Sequence, residues 1–315
     1  MGKIDPLSLD GLTTYSLKDR PSKVSHRDFG KAWSPGGSFK EFLERLPNIL
    51  AGQSLKEVAA VWVRAHQAGR PVLLGMGAHP LKVGLSPILI DLLKRGLLTG
   101  VAGNGAVIIH DAEIAMVGRT SEDVDQVLGS GQFGMARETA EFLNEATSWG
   151  AQEGLGLGEA VACRLHQSDF PYKHLSLLAA AAALEVPVTI HVAVGADIIH
   201  LHPSLPPAAL GETTHRDFRL FAAQVSRLAG GLYLNLGSAV ILPEVFLKAL
   251  TLARNLGHRV EPLTTVNLDF IQHYRPMTNV VRRPTAGEGQ GYALTGHHEI
   301  LLPLLAALVV ESLEV

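Results

Sequence analysis

The chain has 315 residues and a mass of 33.6 kDa, room for one large α/β domain or two smaller ones. Hydrophobic residues make up 47% and charged residues 18%, a balance that buries a large core and excludes disorder as the main state. With 27 Lys and Arg against 30 Asp and Glu there is no basic field for nucleic acid or an anionic membrane. The single Cys163 excludes an internal disulfide framework and a cysteine zinc site, and fits a reducing cytosol. The start, Met1 to Pro6, lacks the apolar stretch of a signal peptide. The apolar tail from Ile300 to Val310 is too short to span a bilayer and Pro303 interrupts it, so a soluble, cytoplasmic protein is expected.

In chain order, residues 1–37 are polar and turn-rich and read as an extended arm; residues 38–315 read as a single α/β domain. Ser38-x-x-Glu41 and Ser54-x-x-Glu57 have the capping-box pattern. The second opens a predicted helix with Leu55, Val58, Ala59, Trp62 and Val63 on one face, ended by Gly69-Arg70-Pro71. Strand and helix then alternate: strand Pro71–Gly77, helix Ser86–Arg95, strand Gly100–Ile109, helices Met135–Ser148 and Tyr172–Glu185 and strand Val186–Val194. Helix Asp217–Leu228, strand Leu232–Val240, helix Glu244–Asn255, strand Val260–Asp269 and helix Glu299–Leu313 complete the series. Strands apolar on both faces and separated by helices require crossovers, so the expected fold is a doubly wound, mostly parallel, Rossmann-like α/β sheet.

Ligands in such sheets sit at the carboxyl ends of the strands. Three glycine-containing segments fall there: Gly75 to Gly84, Gly103-Asn104-Gly105-Ala106, and Asn235 to Ala239. None completes G-x-G-x-x-G, because Pro80 stands at the third glycine, and there is no P-loop. Gly154-x-Gly156-x-Gly158 reads as a helix start. Fourteen histidines form the second signal. His200 and His202 on a strand would share a face as a metal pair, with His110-Asp111 and His297-His298-Glu299 as further ligands; the other reading is packed, satisfied histidines. Third, Arg275, Asn279, Arg282 and Arg283 form a basic segment that suits a carboxylate or phosphate, or else a solvated loop or an intersubunit ion-pair site. Cys163 reads as a buried, inert thiol on a helix.

At these segments, from Val72 to Ser312, the chain resembles the deoxyhypusine synthase superfamily, whose fold is a large NAD-binding α/β domain. The family's first cofactor turn is similar to Gly77-Ala78-His79-Pro80-Leu81-Lys82, and its second to Asn104-Gly105-Ala106, followed by His110-Asp111 where the family has acidic residues for a polyamine. Val186-Pro187-Val188 followed by Ala196-Asp197 resembles the Ile-Pro-Val and Gly-Asp turn that meets the polyamine. The triple glycine resembles Gly237-Ser238-Ala239, a cofactor-contacting strand end falls on Val266-Asn267, and Pro303-Leu304-Leu305 places His297 and His298 at a cofactor contact.

The departures decide the activity. The family's imine-forming lysine falls on Pro284, its tryptophan on Arg282, a substrate-binding glutamate on Thr278, and the histidine after the triple glycine on Pro243. Without an amine nucleophile, imine chemistry at that place is impossible. Of the polycation site only Asp197 remains, while arginines appear, and these favour an anion. The resemblance therefore implies the scaffold without deoxyhypusine synthase activity.

The expected protein is an NAD-binding enzyme, of oxidoreductase or transferase type, acting on a small anionic substrate. Gly77, Ala78, His79, Leu81, Lys82, Asn104, Gly105, Ala106, Gly237, Ser238, Ala239, Asn267, His297 and His298 would meet the cofactor. His110 or His202 would serve as acid or base, Asp197 would orient that imidazole or hold a substrate donor, and Arg282, Arg283 and Asn279 would clamp the anion. No metal is predicted in that reading. The alternatives are a metal-dependent hydrolase or lyase built on the histidines, and a non-catalytic nucleotide sensor. The resemblance also implies a homodimer or homotetramer.

Overall fold

In a computed structural model that describes residues 3–313, the chain divides into two compact units, one up to Gln53 and one from Ser54 onward. The division falls after Gln53 rather than after Gly37, where the polarity of the sequence changes. The first unit is turn-rich and carries a 3-10 turn, His26–Asp28, and the helix α1 (Phe39–Arg45). The expected capping box opens α1: Glu41 N–H donates to Ser38 Oγ at 3.2 Å, and Ser38 N–H to Glu41 Oε2 at 2.8 Å. Trp33 and Phe39 pack against Phe42, with the Arg45 guanidinium 5.8 Å from the Trp33 ring centre.

Helix α2 (Leu50–Gln67) starts ahead of Ser54, so Ser54 and Glu57 lie inside it and do not open it. Its buried face holds Leu55, Val58, Ala59, Trp62 and Val63, as the 3.6-residue period requires. Strand β1 (Val72–Met76) follows, then α3 (His79–Lys82) and α4 (Ser86–Lys94). Strand β2 (Gly100–Asn104) runs directly into α5 (Gly105–Val117). The apolar run from Gly100 to Ile109 is therefore half strand and half helix, two states that hydrophobicity alone does not separate.

After α6 (Val124–Val127), α7 (Arg137–Gln152) and α8 (Leu157–Gln167), the expected helix Tyr172–Glu185 is broken. A 3-10 turn, Lys173–Leu175, precedes α9 (Leu177–Ala183), because Ser176 caps α9 by accepting from Ala179 N–H at 2.9 Å. Then come β3 (Val188–His191), α10 (Pro207–Val225), β4 (Leu232–Leu236), α11 (Ile241–Asn255) and β5 (Thr264–Asp269). The remainder is α12 (Tyr274–Pro276), a π-helical segment Met277–Arg282, β6 (Gln290–Thr295) and α13 (His298–Leu313). Strand β6, with Gln290, Gly291 and Tyr292, lacks the apolar run of the others and was not expected; an edge strand needs only one paired side.

The six strands form one all-parallel sheet in the order β3-β2-β1-β4-β5-β6. This is the doubly wound α/β fold expected from the sequence. Leu74, Leu234, Leu236 and Leu268 face one way, against Trp62 of α2, Leu89 of α4, and Leu302 and Leu305 of α13. Leu73, Ala102 and Tyr233 face the other way, against Phe221 of α10, Phe246 of α11 and Val280. Because the winding direction reverses between β1 and β4, their connections leave to opposite sides and open a crevice at their carboxyl ends. Among the described residues no helix is long and apolar enough to cross a membrane.

Candidate functional site

Four strands place a polar residue in their carboxyl-terminal halves: Asn104 on β2, His191 on β3, Asn235 on β4 and Asn267 on β5. Strand register aligns Asn104 with His191, and Gly75 of β1 with Asn235 and Asn267, so all point to the α10–α11 face. Asn235 Nδ2 donates to Ser238 O at 2.9 Å and to Asn267 Oδ1 at 2.7 Å. Asn267 Nδ2 donates to Gln272 Oε1 at 2.7 Å, and Gln272 Nε2 to Leu294 O at 3.2 Å. Backbone carbonyls at both ends of this chain can only accept, so every amide in it has a fixed orientation. Its cost is that Asn235 Oδ1 is buried without a donor; Asn104 Oδ1 and the Tyr233 hydroxyl are likewise unpartnered. Burial without a partner raises the Tyr233 phenol above its ordinary range, and its ring stacks on Phe246 at 3.8 Å.

Between these acceptors β1 offers no side chain. A Cβ on Gly77 would collide with the Gly237 carbonyl oxygen, and Gly237 itself has φ +63°, the left-handed conformation that glycine adopts without strain. The backbones just past β1 and β4 thus touch at the switch point. Past Gly237, Ser238 Oγ accepts from Leu242 N–H at 3.1 Å, fixing the start of α11. Among the described residues the N–H groups of Ser238 and Ala239 have no protein acceptor, and they precede the 15-residue helix α11, whose dipole favours an anion at its start.

Two histidines close one side. His79, the first residue of α3, and His298, the first of α13, meet through their Nδ1 atoms at 2.8 Å, and His298 Nε2 lies 3.2 Å from Leu268 O. A carbonyl only accepts, so His298 Nε2 carries the proton and His298 Nδ1 accepts from His79 Nδ1–H. His298 is fully buried, and desolvation lowers its pKa in spite of the opposing pull of Leu268 O and Asp269. The exposed Phe270 ring stacks on His297 and lies 5.7 Å from His79.

On the other side, α3 ends at Lys82, whose charge acts on His110 of α5. Burial first, and Lys82 second, lower His110 to about 4, so it is neutral at pH 7. Its Nδ1 is 2.6 Å from Thr120 Oγ1. The neighbouring Asp111 faces away: its carboxylate accepts from Leu177 N–H at 2.8 Å, Leu178 N–H at 3.2 Å and Ser176 Oγ–H, capping α9. It is a structural group and not a ligand in the crevice.

Other sequence-stated candidates lie elsewhere. Asp197 rests its carboxylate against Gly105 at the start of α5 and accepts from Ala193 N–H at 3.2 Å, with its pKa raised by burial. His200 and His202 are on and after a 3-10 turn, Ile198–Leu201, and not on a strand, because the chain turns at Gly195 to bring Asp197 back to α5. His202 bonds Ser204 at 2.7 Å, and Ser204 bonds Asn144 of α7; among the described residues no hydrogen bond joins His202 to His110 or His298. The basic segment runs back along β5, with Thr265 Oγ1 donating to Val280 O at 2.6 Å, so Arg282 and Arg283 lie toward the amino ends of the strands. Arg282 bonds Thr278 at 2.8 Å, Arg283 bonds Asn279 at 2.9 Å, and Asn279 bonds Glu244 at 2.8 Å. The arginine pair is not brought to the crevice. Among the described residues no three His, Cys, Asp or Glu side chains converge as a metal set.

No protein-family profile matches the sequence, and no curated protein sequence does. Solved structures do match. AgrE in a ternary complex with ornithine and NAD+ aligns over 84% of this chain and 34% of its own, at 15% identity with a TM-score of 0.54. A conserved protein from Methanococcus maripaludis S2, described as LOR/SDH, aligns over 83% of this chain and 70% of its own, at 14% identity with a TM-score of 0.52. These likenesses extend to the parallel α/β fold of the aligned region. A protein from Entamoeba histolytica described as a deoxyhypusine synthase covers 90% of this chain and 96% of its own, but at 11% identity and a TM-score of 0.49 it is too distant to carry an argument. The chain spans about a third of the length of AgrE.

Proposed function

We propose that this chain is an NAD-binding enzyme with the deoxyhypusine synthase-like fold and that its substrate is a small anion. The observation that carries the reading is the side-chain-free contact of Gly77 with Gly237 at the switch point, flanked by buried acceptors with no donor. A dinucleotide matches that arrangement chemically. Its pyrophosphate suits the unpaired N–H groups of Ser238 and Ala239, and its ribose hydroxyls and carboxamide supply donors for Asn104 and Asn235. The start of α5 is less suited, since the Asp197 carboxylate already rests there. When bound, NAD supplies a hydride acceptor or donor.

The chain's own residues divide the remaining work. Phe270 and the His79–His298 pair wall one side of the crevice, and Lys82 provides the cation for a substrate carboxylate or phosphate. His110, neutral beside that cation, holds or accepts the substrate proton. AgrE, which has this fold, binds NAD+ and ornithine, a small molecule that carries a carboxylate. The test is a fluorescence titration of the purified full chain with NADH. Saturable binding in the micromolar range is expected. No saturation below millimolar concentration overturns the reading.

A further inference from the structure

The His110 imidazole is part of a longer chain of contacts. Its Nδ1 lies 2.6 Å from Thr120 Oγ1, in the loop beyond α5, and the Thr120 hydroxyl donates to Glu113 Oε2, one turn further along α5. Thr139 of α7 donates to the other oxygen, Glu113 Oε1, at 3.3 Å. His110 and Glu113 side chains are each about six-sevenths buried, at 15% and 16% exposure, so bulk water does not substitute for these bonds.

Proton counting settles the direction. Both threonine hydroxyls donate to the Glu113 carboxyl oxygens. The Thr120 hydroxyl has one proton and it is spent, so its oxygen can only accept from His110 Nδ1–H. A neutral imidazole with its proton on Nδ1 has its lone pair on Nε2. Lys82, the charged group from α3 that acts on this ring, cannot take the place of Thr120, because an ammonium has no acceptor.

We infer that Glu113 and Thr120 are positioning residues that hold His110 in the Nδ1–H tautomer and present Nε2 as a proton acceptor to a substrate O–H or N–H whose anionic group is bound by Lys82. In the transfer, the substrate O–H or N–H bond breaks, its electron pair stays on the substrate atom, and a new N–H bond forms at Nε2. The positive charge that appears on the ring is met by Glu113 through Thr120, the order carboxylate, hydroxyl, imidazole serving to stabilise the imidazolium. This rests on the reading of His110 as the proton-handling group.

The experiment needs neither cofactor nor substrate. Nitrogen-15 NMR of the labelled full chain at neutral pH distinguishes a protonated ring nitrogen from a bare one for each histidine, with His110→Gln assigning the signal. The expected wild-type result is a His110 ring protonated on Nδ1 and bare on Nε2. Thr120→Val removes one hydrogen bond to the ring and is expected to lower the ratio of the two tautomers about tenfold, while Thr120→Ser restores it. A wild-type His110 protonated on Nε2 overturns the inference, whether or not the variants fold. So does a folded Thr120→Val chain with an unchanged ratio, which would leave the contacts as a latch for the loop. Neither outcome bears on the NADH titration, so the two readings fail separately.

Discussion

Two influences of the same sign act on the His110 ring: burial, and the charge of Lys82, together lowering it from 6.5 to about 4. Lys82→Met removes the smaller influence and leaves the larger. The His110 pKa is therefore expected to rise part of the way back toward 6.5, as read by NMR titration of its ring protons. An unmoved value would mean that Lys82 does not face the ring. An anion bound at Lys82 would act in the same direction as that substitution and make His110 more basic. At this scale the sequence was informative about the crevice and misleading about its surroundings. Polar residues late in predicted strands, as in Leu-Tyr-Leu-Asn235 and Thr-Val-Asn267, are visible without coordinates. Phe270, Glu113 and Thr120 carry no local signal, since their roles come from rings and hydroxyls that meet them across loops. Arg282 and Arg283 were conspicuous for their charge, but which end of a strand a segment lies at is set by the path of the backbone.

Among the elements, two buried carboxylates serve as ties. Asp111 fastens α9 to α5, and Asp217 of α10 accepts from Gly158 N–H at the start of α8 and from Ile190 N–H of β3, both at 2.7 Å. Burial raises Asp217 to about 8 from 3.8, outweighing the two hydrogen bonds that oppose it. The folded state thus holds this proton more tightly than the unfolded chain. Stability from Asp217 is fully present below about pH 3.8 and is lost as pH rises through about 8. Asp217→Asn keeps a carbonyl-type oxygen for both N–H donors and removes the titration. Urea midpoints taken at about pH 5 and about pH 9 are expected to differ less in the variant than in wild type. Equal slopes in the two proteins would contradict the raised carboxyl. The hydrophobic periods located most helices and five of the six strands, but not their ends. Ser176, a cap just ahead of the alanine run, divided one expected helix, and the polar edge strand β6 was hidden because only one of its sides is paired.

For the whole molecule, the compact unit from Ser54 onward contains the entire sheet. A chain beginning at Leu50, which keeps α2 complete, is expected to unfold in one cooperative transition by circular dichroism. A broad, non-cooperative melt would show that residues before Leu50 are needed for the fold. The order of the strands was not legible in the sequence: it depends on which crossovers go to which side, and both choices use the same apolar segments.

That order has a consequence for synthesis. Strand β1 lies in the middle of the sheet, between β2 and β4, yet β4 is translated only after β2, β3 and α10. A nascent chain that has left the ribosome as far as His191 can pair β1 with β2 and β2 with β3, while the other edge of β1 stays open. That open edge is the apolar segment Val72–Met76, without a charge to deter another strand. Ribosomal pausing, or truncation, between His191 and Leu232 therefore leaves a sticky half-sheet, and the passage of Leu232–Leu236 into solvent is the event that closes it.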